Sequence, residues 1–259
     1  SLGLSNYTCE MVQRGCGSRD SRQFIQDLET LGVAKSASVS ISHTGFAAAM
    51  PADKIQAALE IYADLLCRPH LPGDQIEEGR LVCLQELRAI EDDLAQKVMQ
   101  TVRRQQYASP YGRNVQGNHD SVQQTTIDQI QQHYQTCYRP NHAILGVAGK
   151  IEWDSLKEHV GTLFADWEAS DLPAIDEGDR EASYVHLSEQ SEQTHIGLSY
   201  PSVPYSDPDY FQARGAVGVL SDGMSSRLFT EVRENRGLCY TVYASCHTLQ
   251  DRGAIIAYA

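Results

Sequence analysis

Between Asp74 and Tyr107 the chain contains no proline and a single glycine, Gly79. Nothing in that stretch breaks the backbone ladder, so it predicts a long helix with room for one break. Shorter elements surround it. Phe24, Ile25, Leu28 and Leu31 recur at helical spacing, and Gly32 stands where a left-handed C-terminal cap belongs. Ser36 to Ser42 alternates small polar with apolar residues, the period of a half-buried strand, and Phe46 to Met50 reads as its antiparallel return. Ile55, Leu59, Tyr62 and Leu66 mark another helix, as do Ile127, Ile130, Tyr134 and Tyr138. Arg139-Pro140-Asn141 turns the chain toward a strand over Ala143 to Ala148, and the capping-box spacing of Ser155 and Glu158 predicts a helix opening there.

The stretch from Glu168 to Glu181 is acidic, interrupted by Pro173 and without apolar period, which reads as a linker. Beyond it the pattern restarts. Strands are expected near Tyr184 to Leu187 and Thr194 to Tyr200, a helix opened by Asp207-Pro208, another helix from about Ser225, and a final strand at Ile255 to Ala259. Helices and antiparallel strands in mixed order give an α+β fold class. The expected organisation is a lobe over 1–167, a linker over 168–182 and the first part of a second, truncated lobe over 183–259.

The chain has 259 residues, 41% of them apolar, enough for more than one ordinary core. Lys plus Arg number 21 against 34 Asp plus Glu, a formal charge of -13. That charge repels phosphate backbones and anionic membrane surfaces, so nucleic acid is not an expected partner, while solubility and a weaker attraction to basic peptides are. No apolar run is long enough to span a bilayer, and no signal-peptide pattern opens the chain. Because it opens at Ser1-Leu2-Gly3 and closes within a strand, both ends read as cut. Its seven cysteines, an odd number without a C-x-x-C pair, read as free thiols in a reducing compartment.

Several phrases, in order, resemble one known family. Gly3-Leu4-Ser5-Asn6-Tyr7-Thr8-Cys9-Glu10-Met11 runs parallel to the phrase G-L-A-H-F-L-E-H-M, keeping Gly3, Leu4 and Met11, with Gly15 matching beyond it. Leu31, Gly32, Ser36, Ala37, Val39, Thr44 and Phe46 align without a gap on L-G-x-x-x-N-A-x-T-x-x-x-x-T-x-Y. Ser225 to Tyr240 follows S-S-R-L-F-x-E-V-R-E-x-x-G-L-x-Y closely. On these phrases the chain resembles the pitrilysin/insulinase zinc peptidases, including the mitochondrial processing peptidases, from about Gly3 to Ala259. The resemblance implies a two-lobe clamshell, here without the first strands of its N-terminal lobe.

It also implies a site. Zinc hydrolysis of a peptide requires three protein ligands, an open position for water and a carboxylate to take the water's proton. In the family's H-x-x-E-H motif the two His supply ligands and the Glu is the base. Here the first His position holds Asn6, the base position Cys9 and the second His position Glu10; Glu86 alone retains a ligand, and a supporting carboxylate falls on Gly79. No imidazole remains to favour zinc. Glu10 and Glu86 are therefore expected to be solvated, or paired with an Arg such as Arg14 or Arg19, and Cys9 beside Glu10 is expected to be inert.

Arg233 and Tyr240 match the family's Arg and Tyr that reach over the cleft to hold the substrate backbone. An Arg in the last turn of a helix can equally complement the helix dipole, and a Tyr opening a strand can simply pack. Ser36 and Ala37 fall on the family's edge strand, which adds a substrate strand through main-chain bonds; the same alternation also suits an ordinary sheet edge. The reading is a protein with no metal of its own, where active relatives use zinc. It binds peptide or unfolded polypeptide and works beside a zinc-bearing homologous subunit or as a homodimer. The alternatives are a structural assembly subunit and a metalloendopeptidase with an altered site.

Overall fold

The computed structural model describes residues 2–171, 173–178 and 184–259. In chain order the elements are α1 (Leu4–Val12), α2 (Ser21–Thr30), β1 (Ala34–Val39), β2 (Thr44–Ala49), α3 (Ile55–Cys67), α4 (Ile76–Asp92), α5 (Leu94–Gln106), α6 (His119–Gln124), α7 (Ile127–Cys137), α8 (Trp153–Leu163), β3 (Gly197–Ser202), α9 (Tyr210–Ser221), β4 (Tyr243–Thr248) and β5 (Gly253–Tyr258). The class is α+β, as the mixed order of elements predicts. The long proline-free stretch forms α4 and α5, and the break falls at Asp93, whose carboxylate accepts from the Gln96 N–H and so caps a new helix.

The described residues form two compact units, one of 1–87 with 115–174 and the other of 88–114 with 175–259. In the first, α1 lies in a core of Tyr7, Met11, Val12, Cys83, Leu84, Leu87, Val122 and Ile130, drawn from α1, α4, α6 and α7. A neighbouring cluster joins Phe24 and Leu28 of α2 to Ala58, Ile61 and Leu65 of α3. Each large side chain buried this way contributes about 1.5–3 kcal/mol. β1 and β2 form an antiparallel ribbon in which Ser36 pairs with Ala47 and Ala37 with Phe46. In the second unit the strand order is β3-β5-β4, all antiparallel. Ala254 and Ile256 of β5 pack on Val102 of α5 and on Tyr107.

Several elements differ from the expectation. The first hairpin strand runs Ala34–Val39 rather than Ser36 to Ser42; its end comes early because Ser40 and His43 close the turn by a 2.8 Å backbone bond. The helix expected to open at Ser155 opens at Trp153, with Glu152 at its N-cap making no side-chain bond, so the capping box does not form. Pro208 lies in the turn before α9 rather than in its first position. Residues 143–148 run without a ladder partner among the described residues, leaving Ile144 exposed, and 184–187 likewise join no sheet. Helix α6 had no apolar period to announce it; its capping box of Asn118 and Ser121 specifies it instead. Of the expected linker, residues 172 and 179–182 lie outside the described residues, and the remainder has no regular structure.

Candidate functional site

Helix α1 begins at Gly3, which takes a positive φ of 77° and whose carbonyl accepts from the Tyr7 N–H at 3.0 Å. A Cβ there would come within 2.6 Å of the Gln116 carbonyl, so only glycine fits this approach. One turn on, Asn6 and Glu10 stand four apart, on the same side of the helix. Their side chains take different partners. Asn6 Nδ2 donates to Glu86 Oε2 at 2.8 Å and lies 3.9 Å from the Cys83 sulfur. Glu10 Oε1 accepts from Arg14 Nη2 at 2.8 Å and Nε at 3.1 Å, an i,i+4 pair along the same helix. Arg19 is engaged elsewhere, with Asp27 at 2.8 Å and Asp64 at 2.7 Å.

Cys9 is buried, at 4% exposure. Burial, reinforced by the Glu10 and Glu86 carboxylates, pushes its thiol up to about 12, and the same causes push Cys83 up to about 12. Neither is a nucleophile or a soft anionic ligand near neutral pH. The fit to zinc therefore fails on the donors: an amide N–H bonded to the one retained carboxylate, a second carboxylate held by Arg14, and a protonated thiol. Among the described residues no three His, Cys, Asp or Glu side chains converge in a way that could hold a metal ion.

The space beside α4 is also filled. A Cβ on Gly79 would lie 2.7 Å from Met11 Sδ and 3.1 Å from Tyr7 Cε2, so the position expected to carry a supporting carboxylate now admits two core side chains. Tyr7 donates its hydroxyl to the Ile76 carbonyl. The buried Arg80 sits 5.6 Å from the Tyr7 ring centroid and donates to the carbonyls of Val122, Gln123 and Thr125. Sequence reading missed Tyr7 and Arg80. The signal available was the coincidence of a lost side chain at Gly79 with an aromatic at Tyr7, and it carries meaning only once the two are known to touch.

The second unit brings Arg233 and Tyr240 together. Residues Phe229–Glu234 form a π-helical turn, marked by the Asn235 N–H to Thr230 carbonyl bond of 2.8 Å. Gly237, at φ 60°, then reverses the chain, with its N–H donating to the Arg233 carbonyl at 3.0 Å and that of Leu238 to Val232 at 3.1 Å. The reversal places the Arg233 guanidinium carbon 4.9 Å from the Tyr240 ring centroid and 4.7 Å from that of Phe229. Tyr240 is 84% exposed, and β4 starts only at Tyr243, so this tyrosine neither packs in a core nor opens a strand. Ser36 and Ala37 are exposed on β1, whose only ladder among the described residues is the one to β2.

Comparison with known proteins gives the family and the fold. The profile described as insulinase (peptidase family M16) matches residues 1–118, and that described as peptidase M16 inactive domain matches residues 124–259. The chain belongs to the M16 peptidase family. An uncharacterized zinc protease of Streptomyces coelicolor is 27% identical, the match taking in 99% of this chain and 58% of that protein. The uncharacterized zinc protease YmxG of Bacillus subtilis is 23% identical over 99% of this chain and 63% of its own length. The chain thus spans less than two thirds of the curated relatives it matches. A protease from Helicobacter pylori superposes with a TM-score of 0.91 at 19% identity, over 100% of this chain and 64% of that one. The peptidase M16 inactive domain from Pseudomonas fluorescens gives 0.88 at 22% identity, over 99% and 64%. At these identities the likeness to the solved structures is one of fold. No helix among the described residues is long and apolar enough to cross a membrane.

Proposed function

We propose that this protein is a non-catalytic M16 member that holds an extended polypeptide and serves a zinc-bearing homologous subunit, with two lobes joined by the acidic stretch over 168–182. The observation that carries the reading is the Asn6 to Glu86 hydrogen bond beside the Glu10–Arg14 pair, which leaves each would-be ligand bonded to a protein partner. The inactive-domain profile matches residues 124–259, whereas Asn6, Cys9, Glu10 and Glu86 all lie within 1–118. Without imidazole ligands or a proton-accepting carboxylate the position cannot generate hydroxide at neutral pH. Arg233, part-exposed, and the adjacent exposed Tyr240 supply a guanidinium and a phenol to a peptide main chain, and Ser36 and Ala37 lie on a strand with one edge unpaired among the described residues, whose small side chains let another backbone approach.

The test uses the full-length protein mixed with a zinc-bearing homologue encoded beside it, with cleavage of an unfolded polypeptide as readout. The pair is expected to cleave faster than the zinc-bearing subunit alone, with the gain lost in Arg233→Ala and reduced in Tyr240→Phe. Chelator-sensitive cleavage by the isolated protein, with stoichiometric zinc, would sink the reading in favour of an altered active site. Activity of the pair that neither substitution changes would leave only an assembly role.

A further inference from the structure

The Arg233 guanidinium rests against two aromatic rings, not one. Its central carbon is 4.7 Å from the Phe229 centroid and 4.9 Å from that of Tyr240, and Phe229 opens the π-helical turn that carries Arg233. Among the described residues its charged neighbour is the next residue in the chain, with Glu234 Oε1 3.7 Å from Arg233 Nε, too long for a hydrogen bond. A long exposed side chain loses rotamer entropy when it binds, and a side chain already held loses less. π-helical turns are rare and recur at functional sites. Here the turn stacks Phe229 and Arg233, four apart in sequence, on one side, while Gly237 brings Tyr240 back from beyond.

We propose that Phe229 is a positioning residue: its ring holds the Arg233 guanidinium against Tyr240, leaving the in-plane N–H groups to donate to carbonyl oxygens of an extended peptide. This rests on the reading that Arg233 and Tyr240 contact polypeptide. It adds a residue that the Arg–Tyr pairing by itself does not require, and it makes the aromatic character of position 229, not its bulk, the property that matters. An exposed cation–π contact corresponds to about a two- to fivefold change in affinity.

The experiment compares full-length wild type, Phe229→Leu, Phe229→Tyr and Arg233→Ala in two measurements. The first is affinity for fluorescein-labelled β-casein, an unfolded chain, by anisotropy. The second is the NMR shift of the Arg233 Nε–H, assigned by its loss in Arg233→Ala. Phe229→Leu keeps the apolar bulk and is expected to weaken binding about three- to fivefold and to move the Nε–H signal downfield as the ring current is lost. Phe229→Tyr keeps the ring and is expected to retain both. Equal affinity and an unmoved signal in Phe229→Leu would overturn the proposal, as would equal losses in the Leu and Tyr variants, which mark a packing role. If wild type and Arg233→Ala bind casein alike, the peptide-contact reading fails and the positioning role falls with it. The Nε–H shift would then still report that Phe229 orders Arg233, which separates the two failures.

Discussion

The two regions that match the family's phrases, around α1 and around the π-helical turn, place their polar groups in opposite ways. Around α1 every group that would face a metal is turned inward or onto a neighbour: Asn6 to Glu86, Glu10 to Arg14, Cys9 into the core, with Tyr7 and Met11 over Gly79. Around the π-helical turn Tyr240 is exposed, and among the described residues Arg233 rests against two aromatic rings and its sequence neighbour Glu234. A site stays available for ligands when its polar groups lack internal partners, and it becomes structure when they acquire them. The first region has the character of structure, whereas the second leaves Tyr240 exposed to solvent beside the Arg233 guanidinium.

The sharpest way to break this contrast is to reopen the first region. Gly79→Glu restores a carboxylate to the supporting position but drives a side chain into Met11 and Tyr7, both fully buried. Overpacking and a buried charge together are expected to destabilise the protein by about 2–4 kcal/mol. A lowered urea midpoint with an unchanged slope would confirm it; a neutral effect would mean the space beside α4 is still a cavity. The second region is expected to be indifferent to such losses of fold. Arg233→Ala should leave the urea midpoint within about 0.5 kcal/mol of wild type while weakening polypeptide binding about tenfold. Coupled losses in both measurements would make Arg233 a structural residue and erase the contrast.

The contrast was legible in the sequence on one side only. The phrases around Asn6 and Ser225 to Tyr240 gave the family and the fold class, because periodicity, caps and motif order are local properties. That the long helix could break once, and the Gly32 cap, were readable for the same reason, whereas the position of the break at Asp93 was not. What could not be read was which side chains meet. That Glu10 takes Arg14 rather than Arg19, that Tyr7 fills the space left at Gly79, and that Phe229 lies against Arg233 are all outcomes of packing. The strand expected over 143–148 failed for a related reason: an apolar extended segment becomes a strand only beside a partner, and the described residues supply none.

A smaller effect sharpens the first region without unfolding it. With thiols raised to about 12, Cys9 and Cys83 hold almost no thiolate at neutral pH and both are buried, whereas Cys137 is exposed on α7. Iodoacetamide at pH 7 is therefore expected to alkylate Cys137 while leaving Cys9 and Cys83 intact until denaturant is added, as read by peptide mass spectrometry. Early modification of Cys9 would return a reactive group to the old general-base position and reopen the nucleophile reading.

The smallest expected effect distinguishes the regions by pH. In the second unit the Tyr107 hydroxyl lies 2.9 Å from His247 Nδ1 and donates to the His247 carbonyl at 2.7 Å. Burial, with Arg103 nearby, holds the His247 imidazole below its ordinary range. Because the folded value is depressed, the unfolded chain takes up the proton first. Stability is therefore complete above about pH 6.5 and falls as the pH drops from there through the folded value. The slope cannot exceed about 1.4 kcal/mol per pH unit and is smaller here because His247 is only part-buried. Urea midpoints between pH 7 and pH 5 should therefore fall less steeply in His247→Gln than in wild type. Identical slopes in that window would mean that His247 contributes none of the acid sensitivity; Glu177, held below the usual carboxylate range by Arg252, loses its contribution only at lower pH.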